Sequence, residues 1–215
     1  MFAALAVGAG CAVFTALALQ IEPGTALTRF DLAVSGAILS QMPPAVVRGF
    51  SILTHAGDSA TRTGLAVFVG AALVLWRQPL LALGFVGGLA GNGALTTLLK
   101  HLFGRQRPLQ PLGGATADGY SFPSGHSGGA VVACGLLVYL VLRLLPPRWH
   151  LPSLCIAVAL SLSIGFSRIV IRAHFPSDVL AGFAAGAVWL VVCVCALEAA
   201  RRRWPAAVGM GRMTG

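Results

Sequence analysis

Charge is scarce in this chain. Only 10% of its 215 residues are Asp, Glu, Lys or Arg, against roughly 25% in a soluble domain. With 57% hydrophobic residues, that scarcity excludes a soluble globular protein and predicts an integral membrane protein of a single domain, 1–215. Several apolar runs reach the roughly 20 residues that span a bilayer. The net charge of +9 does not mark a nucleic-acid binder, because the basic residues are split among loops and form no soluble basic face. Anionic lipid headgroups or phosphate substrates fit better. A disulfide framework is missing too. Cys11, Cys134, Cys155, Cys193 and Cys195 all lie inside apolar runs and read as small buried residues. Cys193 and Cys195 stand two apart on an expected helix, so they point to different faces and make a poor metal pair. No solenoid-type repeat is visible.

What is present is a series of apolar runs with polar junctions. The expected fold is all-α, a six-transmembrane-helix bundle with short interfacial helices between the first and second spans. Met1–Leu19 is the first span. Ala16-Leu17-Ala18 resembles a leader-cleavage site, but no Lys or Arg precedes this long run. Pro43-Pro44 splits the next stretch into two short helices, Phe30–Met42 and Ala45–Thr54, with Asp31, Arg48 and His55 interspersed. Further spans are expected from about Ser59 to Trp76, then over Leu80–Phe103, His126–Leu145, Leu151–Ile171 and Pro176–Ala199. Gly87, Gly88, Gly91 and Gly93 in the third span would let helices approach closely. The last dozen residues read as a mobile tail. Six spans put both termini on one side, together with Arg77, Arg143, Arg148 and Arg201–Arg203, and the positive-inside tendency makes that side cytoplasmic.

Three polar clusters interrupt this pattern at span ends. A charged side chain at the bilayer centre costs about 3 kcal/mol, so such crowding asks for a reason. The first runs from Lys100 to Arg107-Pro108, with Arg105 between and no acid among them. Snorkelling to headgroups accounts for Lys100 alone; several converging cations suit a phosphate dianion. The second is Pro123-Ser124-Gly125-His126 at a helix start. Ser124 can be a plain cap, yet a helix start also offers free N–H groups to an anion. Gly125 lets the backbone approach a ligand, and His126 could protonate a leaving oxygen. The third is Ser167-Arg168 with His174 and Asp178. Pro176 fits only a first helical turn, so His174 stands just outside the helix with Asp178 close to it. A hydrogen bond between them would fix the tautomer and free the other nitrogen as a nucleophile. A structural ion pair closing the turn is the plain alternative. A metal site built from His126, His174 and Asp178 is a rival, but Lys100, Arg107 and Arg168 would repel the ion. His55, His101 and His150 read as structural or interfacial.

In order and spacing, Lys100 with Arg107-Pro108, then Pro123-Ser124-Gly125-His126, then Ser167-Arg168 with His174 and Asp178 resemble the three-part signature of the type 2 phosphatidic acid phosphatase family. The resemblance covers the third to sixth spans and implies a phosphatase core at about 60–200. It implies a membrane phosphatase with no metal and no other cofactor. Lys100, Arg107, Arg168, Ser124 and Gly125 would bind phosphate. His174 would attack phosphorus to form a phosphohistidine, His126 would protonate the leaving alkoxide, and Asp178 would orient His174. Ser167 would support the site from behind. Arg105 and Arg172 lie outside the signature; Arg172 is expected to gate the pocket or read a second charged group.

The expected substrate is a membrane lipid phosphate, of the phosphatidic acid, phosphatidylglycerophosphate, undecaprenyl diphosphate or lipid A type. The expected location is a bacterial inner membrane with the site facing the periplasm. Three alternatives remain: a phosphotransferase of the same fold, the related vanadate-dependent haloperoxidase chemistry, and a non-catalytic anion or lipid transporter. A transporter would more naturally place its polar groups at the midplane.

Overall fold

The structure, a computed structural model, describes residues 2–108 and 119–203. Those residues form eight α-helices. Helix α1 is Phe2–Ala18, α2 Ala26–Gln41, α3 Pro44–Leu53, α4 Ser59–Leu75, α5 Pro79–Phe103, α6 Gly125–Leu144, α7 His150–Val170 and α8 Pro176–Arg203. Single 3-10 turns, Thr54–Gly57 and Pro147–Trp149, lead into α4 and α7. The expected tail over 204–215 lies outside the described residues.

Local chemistry sets the boundaries. Pro43-Pro44 ends α2, and the chain bends by 118° before α3 continues, since proline removes a helical donor and clashes with the preceding turn. Pro79 occupies the first turn of α5, where its missing N–H costs nothing. Gly104 closes α5 at φ +59 and donates its N–H to the Lys100 carbonyl at 3.0 Å, a left-handed cap that a Cβ would disfavour. Ser124 opens α6, accepting from Ser127 N.

Four helices, α5 to α8, are long and apolar enough to cross a membrane, and five spans result if α2 and the α3 segment count as one bent span. Helices α1 and α4 are apolar but have 17 residues each. The protein is a multi-pass membrane protein. Its outer surface fits that reading: Leu83, Leu98, Leu151, Ile156 and Leu162 are exposed on these helices, where lipid rather than water would meet them.

Helix α6 is the central element, with ten buried residues, and it packs against α5, α7 and α8. Its contact with α8 is close because both faces are small. A Cβ on Gly182 would lie 2.5 Å from the Ser124 carbonyl oxygen, and one on Gly186 2.7 Å from the Gly128 carbonyl oxygen. The expected glycine stripe of α5 is only half used. Gly88 and Gly91 pack tightly against Leu136 and Trp189, whereas Gly87 and Gly93 face open space. Trp189 Nε1 donates to the Gly88 carbonyl at 2.8 Å, tying α8 to α5.

Candidate active site

The fold brings the three polar clusters to one end of the bundle. Lys100, on the last turn of α5, donates from Nζ to the Tyr120 carbonyl at 2.7 Å. Arg107 follows on the loop. Its Nε donates to the Gly119 carbonyl at 3.0 Å and its Nη1 to the Ala173 carbonyl at 2.8 Å. Arg168, in the last turn of α7, is 7% exposed. Its Nη1 donates to Thr54 Oγ1 at 2.8 Å, and its Nε is buried without a hydrogen-bond partner among the described residues. The three cations are close enough to feel one another's charge. Holding like charges together in a buried place is unfavourable unless an anion joins them.

His174 sits in the turn between α7 and α8 and is 3% exposed. Its Nε2 lies 3.4 Å from Arg107 Nη1. An arginine can only donate, so Nε2 presents its lone pair toward the cations and the ring proton sits on Nδ1. That nitrogen faces Asp178 Oδ2 at 3.6 Å, which is an ion-pair distance and longer than the expected hydrogen bond. The reason is competition. Asp178 is fully buried and already accepts from Phe175 N at 2.9 Å and from Arg105 Nη1 at 2.6 Å. Burial pushes the His174 imidazole down to about 4, against the opposing pull of Asp178. The ring is therefore neutral across the physiological range.

The second cluster divides its duties. Ser124 is 1% exposed, and its Oγ accepts from Ser127 N at 3.4 Å and from Ser127 Oγ at 2.9 Å, the cap geometry that Ser at this position allows. Its N–H donates to the Asp178 carbonyl at 2.9 Å, which locks the start of α6 to the start of α8. Gly125 packs on α5, where a Cβ would meet Thr96 at 3.1 Å. His126 follows with Nε2 2.8 Å from Asp58 Oδ1.

Several participants come from before residue 60, a region whose sequence carried no site expectation. Asp58 accepts from His126 and, on its other oxygen, from His55 Nδ1 at 2.7 Å; His55 thus borders the site. Thr54 holds Arg168. Asp31, on α2, is fully buried. It accepts from Arg105 Nη2 at 2.7 Å and from Ser177 N at 3.1 Å, and also from the Ser177 hydroxyl. Arg105, outside the signature, thus bridges Asp31 and Asp178. Arg172 has φ +56 and reaches Ser35 Oγ from Nε at 3.3 Å, with Nη1 buried and unpartnered among the described residues. One signal could have found the two aspartates. The sequence has only six acidic residues, and an ionisable residue in an apolar setting marks a functional site by default. Among the described residues no group of three His, Cys, Asp or Glu side chains could hold a metal ion.

The PAP2 superfamily profile matches residues 81–202, more than half of the chain. This chain belongs to the PAP2 superfamily. It is 30% identical over 165 residues to phosphatidylglycerophosphatase B of Bacillus subtilis, covering 73% of this chain and 77% of that one. It is 33% identical over 183 residues to lipid A 1-phosphatase of Rhizobium etli, covering 73% and 72%. The crystal structure of a PAP2-type phosphatidylglycerolphosphate phosphatase from Bacillus subtilis superposes with a TM-score of 0.84 at 27% identity, over 91% of this chain and 98% of the other. These PAP2 relatives are phosphatases by name, consistent with a phosphoric ester hydrolase here. Asp31, Thr54 and Asp58 precede the residues matched to the superfamily.

Proposed function

We propose that this protein hydrolyses a lipid phosphate monoester or diphosphate at a membrane face through a phosphohistidine on His174. The observation that carries this reading is the His174 ring itself: neutral, with Nε2 directed at Arg107 and Nδ1 toward Asp178. Lys100, Arg107 and Arg168 would neutralise the phosphate oxygens, with the Ser124-Gly125 helix start beside them. The Nε2 lone pair would form an N–P bond as the P–O bond to the lipid breaks. The departing oxygen would keep the electron pair and take a proton from His126. Water would then attack phosphorus and give its proton to His126, and the N–P bond would break to restore His174. Little covalent work is asked of the protein beyond this; positioning and charge do the rest.

A lipid substrate is supported by a cavity whose wall combines Ile21, Leu32, Phe103 and Phe175 with Arg105 and Arg107. An acyl chain could lie along the apolar side with its phosphate at the cationic end. Counting the two 17-residue helices α1 and α4 as short spans gives a six-span topology, since about 17 residues is the lower limit for crossing. The active site, within a phosphatase core of about 60–200, would then open on the side opposite Arg77, Arg148 and Arg201–Arg203. In a bacterium that side is the periplasmic face of the inner membrane. The bent pair α2 and α3 would lie at that interface.

The test is release of inorganic phosphate by the purified protein in detergent. The panel is phosphatidic acid, phosphatidylglycerophosphate, undecaprenyl diphosphate and a lipid A phosphate. Release that disappears in His174→Ala supports the reading. Phosphorylated lipid products without free phosphate would assign a phosphotransferase instead.

A further inference from the structure

We propose that Asp58 is the carboxylate that positions His126 and stabilises its protonated form, with His55 as the outer member of a His126–Asp58–His55 chain. This rests on the phosphatase reading above. Asp58 lies on the loop before α4, outside the residues matched to the superfamily. Its Oδ1 is 2.8 Å from His126 Nε2 and its Oδ2 2.7 Å from His55 Nδ1. An ionised carboxylate only accepts, so His126 donates from Nε2, and Nδ1 is the atom left to exchange a proton with the leaving oxygen and the water. The contact is built rather than incidental. Gly57 presses against the imidazole so closely that a Cβ there would lie 3.0 Å from His126 Cδ2. Arg62 clamps the same junction, donating from Nη1 to the Gly57 carbonyl at 2.6 Å and to the Gly125 carbonyl at 3.2 Å.

The site has two histidines, and each has a carboxylate behind it. Asp178 stands behind His174 on Nδ1, and Asp58 stands behind His126 on Nε2. The second pair, like the first, works against nearby cations. Arg62, Arg168 and His174 also face His126, and two of these are permanent cations that disfavour an imidazolium. Asp58 is the one acidic side chain hydrogen-bonded to His126 among the described residues. Burial works against its ionisation, but its bonds to His55 and His126 prevail and hold its carboxyl below the usual range. It therefore stays charged at neutral pH. His55 is largely exposed, so the chain runs from the buried acid–base group to the protein surface.

The experiment compares Asp58→Asn with the unmodified full-length protein on two leaving groups, phosphatidic acid and p-nitrophenyl phosphate. An alkoxide needs a proton to depart, whereas p-nitrophenolate departs without one. The quantity read is kcat/KM, which covers the steps through leaving-group departure. The expected result is a loss of tenfold or more on phosphatidic acid and less than threefold on p-nitrophenyl phosphate. Asp58→Glu should recover part of the loss. In a His126→Gln background, Asp58→Asn should add little. Equal losses on both leaving groups, or a full additional loss in the His126→Gln background, would make Asp58 a structural residue and overturn the proposal while leaving the phosphatase reading intact. An unmodified protein that released no phosphate from any substrate would overturn both.

Discussion

His174 and Arg168 carry the sharpest expectations at the level of single residues. His174→Ala should lower phosphate release by at least about a thousandfold, the loss expected of the nucleophile proposed above, with the melting temperature in detergent little changed. Arg168→Ala should come close to that loss, and Arg168→Lys should recover only part, since a point charge cannot reproduce the bond to Thr54 and face phosphate at once. The pH dependence follows from the burial of His174. A ring whose value is depressed to about 4 stays neutral above that pH and loses its lone pair only as pH falls through it. The acid limb of kcat/KM, corrected for ionisation of the substrate phosphate, should lie well below the ordinary histidine value of about 6.5. The same depression affects stability. Between about 6.5 and 4 the unfolded chain binds a proton that the folded chain refuses, so stability falls as pH drops through that window. The gathering of His174, His126 and the three cations was largely legible beforehand, because all of them are close in sequence to span ends. Asp58 and Asp31 were not, since nothing in the spacing of an isolated aspartate shows which distant side chain it meets.

At the scale of helices, two contacts hold the site together. Arg105 joins α2 to α8 through Asp31 and Asp178, all of them nearly or fully buried. Arg105→Ala would leave two carboxylates uncompensated, and breaking a buried pair this way costs about 3–5 kcal/mol. The measured outcome should be a large drop in thermal stability in detergent, together with lost activity. The second contact is α6 against α8. Gly182→Val would drive a side chain into the Ser124 carbonyl, and neither backbone can yield cheaply. Phosphate release should fall sharply, whereas Gly87→Val, facing open space on α5, should retain activity. Sequence alone suggested all four central glycines of α5 as packing sites. Only the rotation of α5 against α6 and α8 selects Gly88 and Gly91.

The whole molecule is an apolar bundle with the ionisable groups of the candidate site gathered at one end. That asymmetry predicts a topology. Cysteines introduced at Arg77 and Arg148 should be protected from a membrane-impermeant thiol reagent in intact cells, and one introduced at exposed His55 should be labelled, in a background lacking the native cysteines. Labelling of all three would break the six-span arrangement. A whole-molecule expectation for chemistry goes with it: vanadate should inhibit, because its five-coordinate form mimics the transition state, and EDTA should not.

Much of this organisation was decided locally. Proline pairs, glycine caps and apolar run lengths placed the helix boundaries within a few residues, because a helix's ends and lipid-facing surface depend on its own side chains and the solvent. The order of the polar clusters likewise pointed to phosphate chemistry. Tertiary structure alone decided how the site is completed. It brought Asp31, Thr54 and Asp58 from the first 60 residues onto groups far away in the chain. It turned Asp178 toward Arg105 and left His174 at 3.6 Å from it. The physical reason is that a buried charge takes whatever partners the packed helices bring within reach, and that geometry is a property of the assembled bundle rather than of any one segment.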